Sequence, residues 1–237
     1  MNSQTEKTLA LLIPGLDGTG RLYYKQIEPL SKRYRVHAWE FRRRGSFDLP
    51  DLVNEIALGT ENEKPGSMLV VGESFGGMIA LQLALIHPDR IRLLALVNSF
   101  PHYRDRIRIS LACRLSALLK RPFANRIKEY VVERTLAAEG ILAEDRRLYR
   151  EAIGFVYHPA YCRRLELVRD VDLRSRLGEI AVPTCLFASG KDKLVSSIAE
   201  ARYMHSVIPN SRIYEFPRAG HALLLTPGFL LADYLGV

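Results

Sequence analysis

Cysteine is scarce in this chain: Cys113, Cys162 and Cys185 are the only three among 237 residues. They are odd in number and share no Cys-x-x-Cys spacing, so neither a disulfide framework nor a thiolate zinc site is expected, and a reducing compartment, the cytoplasm, fits. Long apolar runs are also missing. No stretch approaches the ~18 residues that cross a bilayer, so a transmembrane segment is not expected. The polar start, Met1 to Thr8, leads directly into a short apolar run closed by Pro14 and has no basic region before a helical apolar core, so it does not read as a secretory leader. Internal repeats, low-complexity tracts and flexible linkers are absent, and no His/Asp/Glu cluster has metal-ligand spacing.

What is present is ordinary globular composition, 48% hydrophobic and 25% charged, enough for one sizeable domain with a buried core. The net charge of +8 is unevenly placed. Between Phe100 and Tyr130, eight basic residues (Arg104, Arg106, Arg108, Arg114, Lys120, Arg121, Arg126 and Lys128) face only Asp105 and Glu129. That segment reads either as a solvated face or as a dock for an acidic carrier protein or an anionic surface. Nucleic acid is not expected, because no recognised binding module accompanies the charge.

Short runs rich in Val, Ile and Leu alternate with helical patterns, which predicts a parallel sheet flanked by helices. The candidate strands are Leu9–Ile13, Val36–Phe41, Met68–Gly72, Leu93–Val97, Thr184–Ala188 and Arg212–Phe216. Residues 100–180 hold no strand-like run and read as amphipathic helices, the first with Leu111, Leu115, Leu118 and Leu119 at helical spacing. The expected organisation is a core of residues 1–99 and 181–237 with a helical cap, 100–180, inserted after the fourth strand. After the third strand, Met78, Ile79, Leu81, Leu83, Leu85 and Ile86 leave almost no polar face, so that helix should be buried on most sides until His87-Pro88 stops it.

Between that strand and that helix stands Gly72-Glu73-Ser74-Phe75-Gly76. A serine on a sharp strand-to-helix turn needs small residues two positions either side so that the backbone can pass closely, and the turn exposes its hydroxyl at the positive end of the helix. A nucleophilic serine needs a base, and the base an orienting acid. Asp192 follows the fifth strand and His221 follows the sixth, so Ser74, Asp192 and His221 each lie just beyond a strand carboxyl end. The fourth strand ends in Asn98-Ser99, neither of which ionises. Asp192 also suits a solvated turn. The remaining histidines have plainer readings: His37 in a strand, His87 at a helix end, His102 and His158 in the insertion, and His205 in the last helix.

Developing negative charge on an acyl oxygen requires donors. The Phe75 N–H directly follows the nucleophile, and the glycine-rich loop Pro14 to Gly20 offers a second donor, with Leu16 N–H the choice. This loop does not match a phosphate-binding pattern, and Asp17 reads as a turn former. Glu73 is expected to be solvated or to anchor a loop. Phe100, Phe155 and Tyr157 are candidates to line an acyl pocket or to pack in the core.

Taken together, Pro14-Gly15-Leu16, Gly72 to Gly76, Gly190-Lys191-Asp192 and Gly220-His221 resemble the α/β-hydrolase superfamily along nearly the whole chain, in its serine esterase and lipase-like branch. The resemblance implies an α/β-hydrolase fold, a mostly parallel sheet of about six strands beginning at the family's third, and a Ser–His–Asp mechanism through an acyl-enzyme with no cofactor. Two departures stand out: Pro14-Gly15 replaces the common His-Gly, and only eight residues precede Leu9. The expectation is a carboxylesterase acting on a small acyl ester. Thioester hydrolysis, carbon–carbon bond hydrolysis and a non-catalytic binding role remain as alternatives.

Overall fold

The computed structural model describes residues 7–118, 126, 130, 133–134, 141–153 and 159–235. Among the described residues six strands form one sheet: β1 (Leu9–Ile13), β2 (Arg35–Ala38), β3 (Met68–Glu73), β4 (Ile91–Val97), β5 (Thr184–Ser189) and β6 (Ser211–Phe216). Their order is β2-β1-β3-β4-β5-β6, and every pairing is parallel. β2 is shorter than its Val36–Phe41 reading. Trp39 N–H still donates to Leu12 O at 2.9 Å, but the chain then leaves the ladder, and Phe41 N–H donates to Gly18 O instead.

Alternation along each strand sends neighbouring side chains to opposite faces. Leu9, Leu11 and Ile13 of β1, Met68 and Val70 of β3, and Leu94 and Leu96 of β4 join one core cluster. Ala10 and Leu12, Leu69 and Val71, and Ala95 and Val97 join the other. The larger cluster is covered by α2 (Leu49–Gly59) and α3 (Phe75–Ile86). Nine of the twelve α3 residues are buried, as its lack of a polar face predicts, and His87 caps it before Pro88. On the opposite face lie α1 (Tyr24–Ser31) and the C-terminal turns.

Between β4 and β5 come α4 (Arg106–Leu118), α5 (Ala143–Ile153) and α6 (Pro159–Asp170); α7 (Ser197–Val207) follows β5. No strand interrupts α4 to α6 among the described residues. The two ends of the insertion meet, with His102 bridging Asp172 and Leu173 N–H donating to Pro101 O at 3.0 Å. The orientation of α4 differs from the leucine reading. Ile109 and Cys113 face the core, while Leu111 and Leu115 are exposed beside Ile107, which is 85% accessible. Both sets recur every four residues, and packing against α6 selects the Ile109 set. Leu119 lies outside the described residues.

Candidate active site

The serine turn forms where β3 runs into α3. Ser74 adopts φ 52° and ψ −118°, a conformation that costs a non-glycine residue energy and persists only where surroundings enforce it. Three hydrogen bonds do so: Ser74 N–H donates to Val97 O at 2.9 Å, Gly77 N–H to Ser74 O at 3.0 Å, and Ser99 Oγ to Ser74 O at 2.9 Å. Glycine at position 76 has a steric cause, since a Cβ there would stand 2.3 Å from Ile13 O.

From this turn a chain of side chains runs along the sheet rim. Ser74 Oγ lies 3.0 Å from His221 Nε2, and His221 Nδ1 lies 2.7 Å from Asp192 Oδ2. Ser74 and His221 are buried, and the Asp192 side chain is shielded from solvent. Asp192 Oδ1 accepts Leu194 N–H at 2.9 Å and Val195 N–H at 3.0 Å, while Oδ2 also accepts the Ser197 hydroxyl. Burial opposes ionisation of Asp192, but the His221 imidazole and these donors outweigh it and hold the carboxyl below its usual range. Burial likewise disfavours the charged imidazole of His221, yet the Asp192 charge and hydrogen bond, together with Glu73, push its pKa up. A hydroxyl, an imidazole and a carboxylate so arranged can move a proton off the hydroxyl as it attacks carbon.

The loop after β1 folds against the serine turn. A Cβ on Gly15 would stand 3.5 Å from Ser74 Cβ. Gly18 N–H closes the loop onto Gly15 O at 3.1 Å, and Asp17 Oδ2 accepts Thr19 N–H at 2.8 Å and its hydroxyl at 2.6 Å. Asp17 is thus a turn former. Leu16 N–H donates to no backbone acceptor among the described residues, and Phe75 N–H, first in α3, has no intrahelical acceptor.

Glu73 departs from its solvated reading. It is only 7% exposed, and its Oε1 lies 3.7 Å from His221 Nε2. Burial raises its pKa to about 7; His221 and the Gly15 N–H partly counter this, and Asp17 and Asp192 add to it. The Gly15 contact keeps the loop-anchoring half of the reading. Period-2 alternation did not reveal the burial, because Glu73 ends a strand covered on both faces. Phe100 is buried in the main core cluster, its ring edge-on to Tyr103 at 5.5 Å. Phe155, Tyr157 and His158 lie outside the described residues.

Sequence reasoning missed three residues. Asn98 is 1% exposed at φ 46°; its Nδ2 donates to His221 O at 2.7 Å and Ser189 Oγ at 3.0 Å, and its Oδ1 accepts Ser189 N–H at 2.9 Å. Ser197 supports Asp192, and Arg164 of α6 reaches the loop after β1. The only sequence signal was a polar pair, Asn98-Ser99, closing an apolar strand. The insertion also meets the core through Asp145, which accepts from Tyr24 and Lys25, and through Ile141 and Tyr149, which cluster with Ala222 and Leu225. Among the described residues, no group of three His, Cys, Asp or Glu is placed to hold a metal ion, and no helix is long and apolar enough to cross a membrane.

Comparison with known proteins gives one consistent family. A model described as the Alpha/beta hydrolase family matches residues 10–233. RutD of Serratia proteamaculans, a provisionally named carbamate hydrolase, is 28% identical over 91% of this chain and 85% of its own length. The pimeloyl-[acyl-carrier protein] methyl ester esterase of Aliivibrio fischeri (strain MJ11) is 26% identical over 90% of this chain and 86% of its own. Among solved structures, a hydrolase from Pseudomonas aeruginosa PA01 superposes with a TM-score of 0.80 at 20% identity, covering 93% of this chain and 85% of its own. The esterase EaEST from Exiguobacterium antarcticum gives 0.79 at 20% identity, covering 93% and 87%. These two likenesses speak to fold.

Proposed function

The chain belongs to the alpha/beta hydrolase family, and from that membership we propose that it hydrolyses carboxylic esters of short to medium acyl chains through Ser74, His221 and Asp192. The observation that carries this reading is the continuous relay from Ser74 Oγ through His221 to Asp192, at 3.0 Å and 2.7 Å. In the first half-reaction His221 Nε2 takes the hydroxyl proton as Ser74 Oγ bonds to the acyl carbon. The Leu16 and Phe75 N–H groups receive the oxyanion, each worth about 3 kcal/mol in the transition state. Collapse breaks the bond to the alkoxy oxygen, which leaves with the proton from His221. Water, deprotonated by His221, then attacks the acyl-enzyme, and the proton returns to Ser74 as the acid departs. No cofactor enters any step.

Residues 100–180 serve in this reading as a cap that shapes the acyl site over the core of residues 1–99 and 181–237, with Phe100, Phe155 and Tyr157 as candidate lining. Cys113, Cys162 and Cys185 are thiols, which suits a cytoplasmic setting. The test is hydrolysis of p-nitrophenyl esters from acetate to palmitate by the wild type and by Ser74→Ala. Turnover lost in the variant supports the reading; turnover that survives overturns the triad.

A second reading has its own support. Several relatives, the Aliivibrio fischeri esterase among them, are named for an acyl-carrier-linked methyl ester, and Arg106, Arg108 and Arg114 are exposed along α4. In that reading the substrate is an ester or thioester carried by an acidic protein that docks on the basic segment.

A further inference from the structure

Among the described residues Arg164 is the largest fully buried side chain, only 1% exposed, and it projects from α6 of the insertion into the loop after β1. Its Nε donates to Leu16 O at 3.1 Å, its Nη2 to Asp17 O at 3.5 Å, and its Nη1 to Arg42 O at 3.4 Å. The guanidinium fills the space beside Gly18, where a Cβ would come within 2.9 Å of it, and stands 6.0 Å from the Phe41 ring centroid. Burial lowers its pKa to about 10, against the pull of the nearby Asp17 charge, so it stays cationic at neutral pH. Sequestering a cation costs several kcal/mol unless partners compensate. A leucine or methionine would fill the same volume without that cost, so packing alone does not account for arginine here.

What the guanidinium holds is the turn that carries the Leu16 N–H, the donor proposed above. The Gly15–Leu16 peptide is trans, so its C=O and N–H point opposite ways. Its C=O accepts Gly18 N–H at 3.1 Å, and a Cβ on Gly15 would stand 2.3 Å from Glu73 Oε2 and 3.5 Å from Ser74 Cβ, so the peptide that carries the Leu16 N–H lies beside the serine turn. The next two carbonyls of that same turn, Leu16 O and Asp17 O, are the ones Arg164 grips. We infer that Arg164 is a positioning residue through which the inserted helices set the geometry of the oxyanion-binding loop. The inserted helices then not only cover the site but also complete it: the donor loop of the core is held in place by a side chain from the insertion. This inference rests on the esterase reading above, in which Leu16 N–H receives the oxyanion.

The test compares wild type, Arg164→Lys, which keeps the charge but loses the planar fork, and Arg164→Met, which keeps volume and loses all donors. Two quantities are read per folded molecule: kcat and KM on a p-nitrophenyl ester, and the rate at which a fluorophosphonate probe modifies Ser74. Phosphonylation develops negative charge at the same donors but needs no acyl pocket. Both variants are expected to lose about 10- to 100-fold in kcat and in phosphonylation rate, as small misplacements of catalytic groups do, with KM within about twofold. Should Arg164→Met not fold, the lysine variant carries the comparison. Folded variants that react with the probe at the wild-type rate, or that lose only in KM, overturn the inference and leave the esterase reading standing. A wild type that the probe does not modify at Ser74 removes both.

Discussion

Asn98 Nδ2 donates to the backbone carbonyl of His221 at 2.7 Å, across 123 residues of sequence. The same amide group bonds to Ser189 Oγ and to Gly220 O, so one side chain at the end of β4 ties β5 to the loop that carries the imidazole. His221 is therefore positioned from behind through its main chain as well as in front by Asp192.

Replacing Asn98 with alanine strands these buried groups without partners, at roughly 1–3 kcal/mol for an unsatisfied group. Asn98→Ala is expected to lower stability by about 2–3 kcal/mol and kcat by about tenfold. Urea denaturation and ester hydrolysis at a temperature where the variant stays folded check the two effects separately. A variant as active and as stable as wild type would show that the amide does not position His221.

The strained backbone of Ser74 predicts an opposition between stability and activity. A side chain at φ 52° is unfavourable, and glycine at that position is free of the penalty, though it gains some entropy in the unfolded chain. Ser74→Gly is expected to abolish ester turnover while raising unfolding free energy by about 1 kcal/mol. Calorimetry on the purified variant decides it, and a fall in melting temperature would count against stored strain.

Glu73 gives a pH signature. Its carboxyl titrates near 7 when folded, against 4.5 for the ordinary group, so the folded state holds its proton more tightly than the unfolded state does. Its contribution to stability is then present at low pH and is lost as pH rises from about 4.5 through 7, with no further change above. Glu73→Gln removes that dependence. Between pH 5 and pH 8 the wild type should lose about 2 kcal/mol more stability than the variant, measured by urea denaturation at both values. Parallel curves for the two proteins would mean that Glu73 ionises normally.

Docking of an acidic carrier on α4 predicts a dependence on salt and on two exposed arginines. Arg106→Glu/Arg114→Glu should raise KM for a carrier-linked ester about tenfold at low salt, with the difference shrinking as salt screens it. KM for a p-nitrophenyl ester should not change. Equal KM values on the carrier-linked substrate would leave the basic segment as a solvated face.

The six parallel strands, and the positions of Ser74, Asp192 and His221 just beyond strand ends, were readable from the sequence. Both rest on local chemistry: apolar runs too short for helices, glycines that let Gly76 pass under Ile13, and carboxylate and imidazole just beyond strand ends. A parallel sheet brings such ends to one rim whatever the detailed packing. Tertiary structure decided the rest. Glu73 became buried because the loop after β1 closes over it, and Ile109 rather than Leu111 faced inward because α6 packs on that side of α4. Asn98 and Arg164 act on residues 123 and 148 positions away. No sequence window contains both partners of such a bond. A buried amide or guanidinium is recognisable only once the carbonyls it must satisfy have been brought around it.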